Sequence, residues 1–537
     1  MSLRNFTPRL CIDIFLTTLF IVTGWVLLPY PGLNNDEALI ANTRLSVSSA
    51  FHHALPLMFM NYLGALKAWL YAPILALFEP TYAAVRWPML LLGALNIYLF
   101  IRVLELMHSR RAALIGGLLV ATDTMFVLTT AFDWGPVALQ HFFMMGGMLL
   151  VLKFVSSARS LSLFCGFVCF GLGMWDKALF IWMLGAIGIA AVVVFRHDVV
   201  SRLTWRNTRL AGAGFCLGAL PLLGYNIATG FRTLRSNSSF VFTEFSSKAT
   251  FLKITLNGSS MMGFLVEEPW ADNQLAAQGP AEHFSFKLNS IFGEHRTNRM
   301  IAALILALLL TPALWFTRAR KPIAFLLVAF VVAWFQMAIT KGAGGSVHHV
   351  VLLWPIPHMF LAIAFAEASQ MLRPGLVRRI GQCLLVVAML YLAAENLLVT
   401  NQYFYQLARY GPSSIWTDAI YQLSRSIGEL KPSKVVIADW GMLNPLVLLH
   451  RGQLPLESFS DQFLSQALSK EKWNRDRAQL EEGLWVGHTV ACEVFRGTND
   501  RIVKAAGAAG FRKEMIREIS DRHGRPVFEM YRFVHMK

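Results

Sequence analysis

Charged residues are scarce in this chain of 537 residues, at 15% of the total, where soluble domains carry about 25%. Cysteine is scarcer still. Of the six, Cys11, Cys165, Cys169, Cys216 and Cys383 lie in or beside apolar runs and Cys492 stands alone in the polar tail, which excludes a disulfide framework there. Cys165 and Cys169 have the spacing of one helix face, but no His or further Cys stands near them, so they are packing residues and no metal site is expected. There is no internal repeat, no low-complexity tract and no nucleic-acid-binding motif. The formal net charge of +16 therefore does not point to RNA or DNA. In a polytopic protein it has another origin, because Lys and Arg collect in short cytoplasmic loops. The first apolar run, Ile14 to about Leu28, follows Arg4 and Arg9 and lacks a small-x-small cleavage motif, so an uncleaved anchor is expected.

Apolar residues are in excess, at 55% with a mean hydropathy of +0.49. They cluster into runs of about 18 residues or more, as many membrane spans require and one soluble core does not. An α-helical polytopic integral membrane protein follows. Arg4 and Arg9 place the N-terminus in the cytoplasm. The stretch Tyr62–Phe78 is long enough to cross but carries Lys67 centrally and Pro73 towards its end. If it crossed, every later basic loop would be inverted. If it lies in the outer interface, the stretches His108–Arg111, Lys153–Arg159, Arg196–Arg209, Arg318–Lys321 and Arg373–Arg379 all fall inside, as the positive-inside rule asks.

The spans expected on this basis are roughly 12–29, 84–106, 112–130, 137–155, 161–174, 178–195, 210–228, 299–317, 322–340, 350–370 and 380–398. That is about 11 transmembrane helices plus one interfacial helix, with outer loops at about 30–83 and 229–298. Residues 1–400 then form the transmembrane domain. Residues 401–537 form a small extracytoplasmic α/β domain, with strand-like runs at Lys434–Ala438, Leu484–Gly487 and Val527–Tyr531 and a helical pattern over Asp461–Glu481.

This topology sorts the unusual polar residues to one face. Asp36-Glu37 follows the first span, and Tyr62 and Lys67 belong to the interfacial stretch. Asp133-Trp134-Gly135-Pro136 joins spans three and four, Asp176-Lys177 joins five and six, and Lys341 with His348-His349 joins nine and ten. Each has a bland reading: a helix N-terminus for Asp36-Glu37, a turn for Asp133, snorkelling for the lysines, interfacial anchoring for the histidines. Their convergence carries the case, because charge at membrane depth costs about 2.5–3.5 kcal/mol per residue. A carboxylate can take the proton of an incoming hydroxyl, and lysines and histidines can stabilise a departing phosphate. A site at the outer lip suits a substrate with its tail in the bilayer and its polar head at the surface.

The order of these pieces resembles the GT-C glycosyltransferases, in the branch of the protein O-mannosyltransferases and the aminoarabinose transferase of lipid A. The residues that carry the resemblance are Asp36-Glu37, Tyr62-Leu63-Gly64-Ala65-Leu66-Lys67, Pro73, Leu77-Phe78, Arg86-Trp87-Pro88, Asp133 and Lys177, over about the first 180 residues. Gly344–His349 before Leu353-Trp354-Pro355 is similar to the family's late loop. The resemblance implies a transferase that moves a sugar from a polyprenyl-phosphate carrier to a lipid, glycan or protein hydroxyl, with a periplasmic active site in a bacterial inner or cell membrane. It implies Asp36 as base or acceptor-orienting acid, Glu37 in support and Asp133 as second acid. Lys67 and Lys177 would hold the donor phosphate, with Tyr62, His348 and His349 beside them, and neither cofactor nor metal is implied. Ala68-Trp69 stands where the lipid A enzymes often carry paired prolines, and no repeat-containing luminal module is present. The alternative class is a secondary transporter or lipid flippase, which would show two repeat-related halves with broken helices near the midplane.

Overall fold

The computed structural model describes residues 3–42, 56–237, 239–268, 273–459 and 483–536. Its first part runs through α1 (Leu3–Leu27), α2 (Asn35–Ala41), α3 (Leu66–Leu77), α4 (Tyr82–Met107), α5 (Arg110–Thr122), α6 (Thr124–Ala131), α7 (Val137–Ser157) and α8 (Ser160–Asp176). Apolar runs become helices because backbone groups in lipid must satisfy one another within the segment. Among the described residues, six helices are long and apolar enough to cross a membrane, and three bent pairs raise the number to nine. The protein is a multi-pass integral membrane protein.

The expected eleven exceed nine by two segments, α8 and Met300–Leu314, which are apolar helices each too short alone. The expected span 112–130 is the pair α5–α6, bent by 57°. The bend has a local cause: the Asp123 side chain caps α6, accepting from the Phe126 backbone N–H at 2.8 Å. Span 210–228 is likewise two helices, Trp205–Gly218 and Leu220–Ala228, bent by 72°. Residues 229–298 carry three helices, Arg232–Asn237, Phe245–Leu256 and Pro280–Phe292.

Ion pairs and packing separate the two ends of the bundle. At one end Asp13 binds Arg102 and Arg110, Glu367 binds His108 and Arg318, and Lys321 lies over the Phe195 ring. The polar residues singled out from the sequence collect at the other end, where the C-terminal unit also sits.

That unit carries a five-stranded sheet in the order β2-β1-β3-β5-β4. Its strands are β1 (Val435–Ile437), β2 (Leu456–Ser458), β3 (Leu484–His488), β4 (Phe511–Ser520) and β5 (Pro526–His535). β1 pairs in parallel with β2 and β3, while β5 is antiparallel to both β3 and β4. β1 and β3 are buried throughout, which is why their sequences are plain apolar runs. β4 escaped the sequence pattern because most of its side chains face solvent. The helical pattern Asp461–Glu481 lies outside the described residues. The boundary expected at residue 400 falls inside the unbroken helix Leu376–Arg409, so the chain leaves the bundle at the turn around Gly411.

Candidate active site

Asp36 and Glu37 both lie in the first turn of α2, a helix started by a capping box. The Asn34 side chain accepts from the Asp36 N–H at 2.9 Å, and the Glu37 carboxylate accepts from the Asn34 N–H at 2.7 Å. Glu37 is wholly buried. Arg86 grips it with two bonds, Nη2 to Oε1 at 2.6 Å and Nε to Oε2 at 3.0 Å. The other guanidinium hydrogens reach three carbonyls: Leu28 at 2.6 Å, Pro31 at 2.9 Å and Gly32 at 2.7 Å. All five Arg86 donors are thus used on the loop that carries the two acids.

Asp36 makes no ion pair within 4 Å among the described residues. Its Oδ2 accepts from the Trp134 indole N–H at 3.3 Å. Burial pushes the Asp36 carboxyl above its ordinary range, while the Trp134 bond, the Lys177 charge and Asn35 pull it back.

Asp133, in the turn between α6 and α7, adopts a left-handed backbone with φ +51°, a conformation that Asp tolerates better than most residues. Its carboxylate is buried and paired with Lys67 on α3. The Tyr71 hydroxyl, one helical turn beyond Lys67, lies 3.2 Å from the other carboxylate oxygen and also meets the Val85 carbonyl. Burial pushes the Asp133 carboxyl up to about 7 against the pull of the Lys67 ammonium.

Lys177 reaches the same end through a short backbone ladder. Leu63 and Lys177 form a bridge, the Gly64 N–H donates to the Asp176 carbonyl at 3.0 Å, and the Ala178 N–H donates to the Tyr62 carbonyl at 2.9 Å. Gly64 is required for this approach, since a Cβ there would stand 1.7 Å from the Trp175 carbonyl oxygen. Lys177 is buried, with no carboxylate within 4 Å among the described residues. Burial lowers its ammonium to about 8, although Asp36 and Asp176 favour the charged form. Burial and the Asp36 charge raise the Tyr62 phenol. His348 packs edge-on against Trp134, with ring centres 4.8 Å apart, and takes a hydrogen bond with Ser346 at 2.8 Å. His349 packs on His348 and on Trp182.

The fold therefore brings the candidate acids, lysines and histidines to one end, but in two conditions. Glu37 and Asp133 are locked in buried ion pairs, whereas Asp36 and Lys177 feel each other's charge without an ion pair within 4 Å among the described residues. Three participants were given no role from the sequence. Arg86 was visible only as part of a motif, Trp134 only as a neighbour of Asp133, and Trp416 carries no local signal. Asp176, expected on this face beside Lys177, has both carboxylate oxygens buried without a hydrogen-bond partner among the described residues. No group of three His, Cys, Asp or Glu residues that could hold a metal occurs among the described residues.

A family model described as dolichyl-phosphate-mannose-protein mannosyltransferase matches residues 64–224. In structure the chain is similar to ArnT from Cupriavidus metallidurans bound to undecaprenyl phosphate, with a TM-score of 0.57 at 12% identity, over 99% of this chain and 98% of that one. The fold is that of the GT-C glycosyltransferases. The oligosaccharyltransferase of Archaeoglobus fulgidus, solved with zinc and sulfate, gives 0.56 at 10% identity over 89% of this chain and 68% of that one. The same archaeal enzyme with an inhibitory peptide and a dolichol phosphate gives 0.53 at 10% identity over 100% and 75%. No curated protein sequence matches the chain. The similarity to ArnT covers nearly all of the chain and so is not confined to the helical bundle.

Proposed function

We propose that this chain is a membrane glycosyltransferase that moves a sugar from a polyprenyl-phosphate carrier to a hydroxyl of a lipid, glycan or protein. The carrying observation is the Asp36–Lys177 arrangement within a GT-C fold: a carboxylate and an ammonium placed together, each lacking the close ion pair that occupies its neighbours. The carriers bound in the similar structures, undecaprenyl phosphate and dolichol phosphate, support the donor class.

In the reaction Asp36 takes the proton of the acceptor hydroxyl. The oxygen forms a bond to the anomeric carbon from the face opposite the phosphate, and the anomeric carbon–oxygen bond to the phosphate breaks with inversion. The electron pair stays on the phosphate, whose added charge Lys177 meets first. Lys67 retains N–H donors beyond the one given to Asp133 and supplies a second positive centre, with Tyr62, His348 and His349 around it. The two lysines supply the positive charge at the phosphate, so the reaction as written uses no metal. Glu37 and Asp133 act by fixing Arg86 and Lys67. The site opens on the extracytoplasmic side of a bacterial inner or cell membrane, with the N-terminus cytoplasmic and the C-terminal unit outside.

Mass spectrometry of lipids and glycans from cells with and without the protein identifies the product. Asp36→Asn, expressed at normal level, is expected to reduce it by about 10²–10⁴-fold, the range of a lost general base. An undiminished product removes Asp36 as the base.

A further inference from the structure

The segment just beyond the last bundle helix touches the Asp36 loop at several points. The Gly32 N–H donates to the Trp416 carbonyl at 2.7 Å, and the Asn34 side-chain amide donates to the Ile415 carbonyl at 3.3 Å. Further on, the Asn444 amide donates to the Asn35 side chain at 3.0 Å. The approach is so close that a Cβ on Gly32 would lie 1.9 Å from the Thr417 carbonyl oxygen. Arg86 therefore holds this loop from the bundle side and residues 413–417 hold it from the other.

The same segment reaches Asp36 a second way. Trp416 is fully buried, and its ring packs edge-on against Trp134 with centres 6.0 Å apart at 88°. It also meets Phe132 at 5.9 Å and Phe264 at 6.4 Å. Phe264 stacks on Trp134 at 5.0 Å and is fixed in turn by Ser413, whose hydroxyl donates to the Phe264 carbonyl. The Trp416 indole N–H has no partner among the described residues. Its ring is thus present for volume and face, while its backbone makes the polar contacts. Trp134, wedged between Phe264, Trp416 and His348, keeps one orientation, the one that points its N–H at Asp36.

We propose that the segment Ser413–Asp418 with Asn444 forms the second wall of the Asp36 cradle, and that Trp416 is a positioning residue that keeps the Trp134 N–H on the Asp36 carboxylate. The C-terminal unit is on this account a part of the site and not an appended module. The inference deepens the reading of Asp36 as base, yet the coupling it describes is a property of the folded chain and can be measured without substrate.

The groups that face Asp36 are the Lys177 ammonium and the Tyr62 phenol, with Trp134 and Asn35 as neutral partners. In the full-length protein in lipid nanodiscs, infrared titration follows the carboxyl band that Asp36→Asn removes. Trp134→Phe deletes a hydrogen bond to the ionised form and is expected to move the midpoint to higher pH. Trp416→Leu is expected to move it the same way by about half a pH unit or more, and the double variant to match Trp134→Phe alone. Where Trp416→Leu fails to fold, Trp416→Phe keeps a ring and is expected to give a smaller shift of the same sign. An unmoved midpoint in a folded Trp416 variant, or shifts that add in the double variant, overturns the inference. So does Trp134→Phe without effect. Transfer is assayed separately: undiminished product from Asp36→Asn sinks the proposed reaction and leaves the titration result standing.

Discussion

Asp36 and Glu37 are neighbours in the chain, of the same chemistry and on the same helical turn, and they live in opposite conditions. Glu37 is held by Arg86 and the capping box through three hydrogen bonds. Asp36 has only neutral partners, Trp134 and Asn35, and the field of an ammonium with which it makes no ion pair. A saturated buried pair fixes a loop, while a buried acid without a counterion in contact is free to exchange a proton. Lys67 and Lys177 repeat the contrast among the cations.

The largest test of that contrast lies in stability. Glu37→Gln leaves the Arg86 guanidinium buried without its carboxylate, and loss of one partner of a buried pair costs about 3–5 kcal/mol. A strongly lowered melting temperature, or no folded protein on gel filtration, is the expected outcome. Asp36→Asn is expected to melt within about 1 kcal/mol of the wild type, since no pair is broken. Equal melting of the two variants would erase the distinction.

Next in size comes Lys177→Met, which removes an ammonium that has no carboxylate within 4 Å among the described residues and keeps the side-chain bulk. Transfer is expected to fall at least tenfold, read as initial rate in membranes, with little change in melting.

The pH profile is a subtler measure. As the proposed base Asp36 acts only when ionised, and its pKa is raised, so the rate is expected to fall on the acid side at a higher pH than for an ordinary carboxylate. The phosphate contact proposed for Lys177 needs its protonated form, and burial lowers it to about 8. The rate is therefore expected to fall again as pH rises past that value. Lys177→Met should abolish the alkaline limb and leave the acid one.

The smallest effect concerns Asp176, whose buried oxygens lack hydrogen-bond partners among the described residues. Burial raises this carboxyl to about 8 and so holds it largely neutral at pH 7, and Asp176→Asn, neutral and of the same shape, is expected to change stability by less than about 1 kcal/mol in thermal melts. A marked loss would mean that the carboxylate is satisfied in the membrane by a group from outside the chain.

Much of the architecture was legible in the residues. Long apolar runs gave the helices of the bundle, and the buried strands β1 and β3 announced themselves as apolar runs. The kinks were less legible, because the break between α5 and α6 depends on one capping side chain, Asp123, in an otherwise unbroken hydrophobic stretch. β4 was missed because its exposed face carries alternating charges in place of an apolar pattern. For the site, residue types at the lip pointed to Asp36, Glu37, Lys67, Asp133 and Lys177 together, and the family resemblance put Asp36 first among the acids, but the order between groups locked in ion pairs and groups left out of them was not legible.

That order is a tertiary property. Composition and hydropathy commit this chain to the membrane, since burying apolar runs in lipid is a sum over residues that needs no partner. Which acid is free depends on Arg86, 49 positions beyond Glu37, and on Trp416 from the far end of the chain. Ion pairing and ring packing act over a few ångströms, so only the folded backbone, by bringing those distant residues within reach, decides which carboxylate is locked in an ion pair and which is left without one.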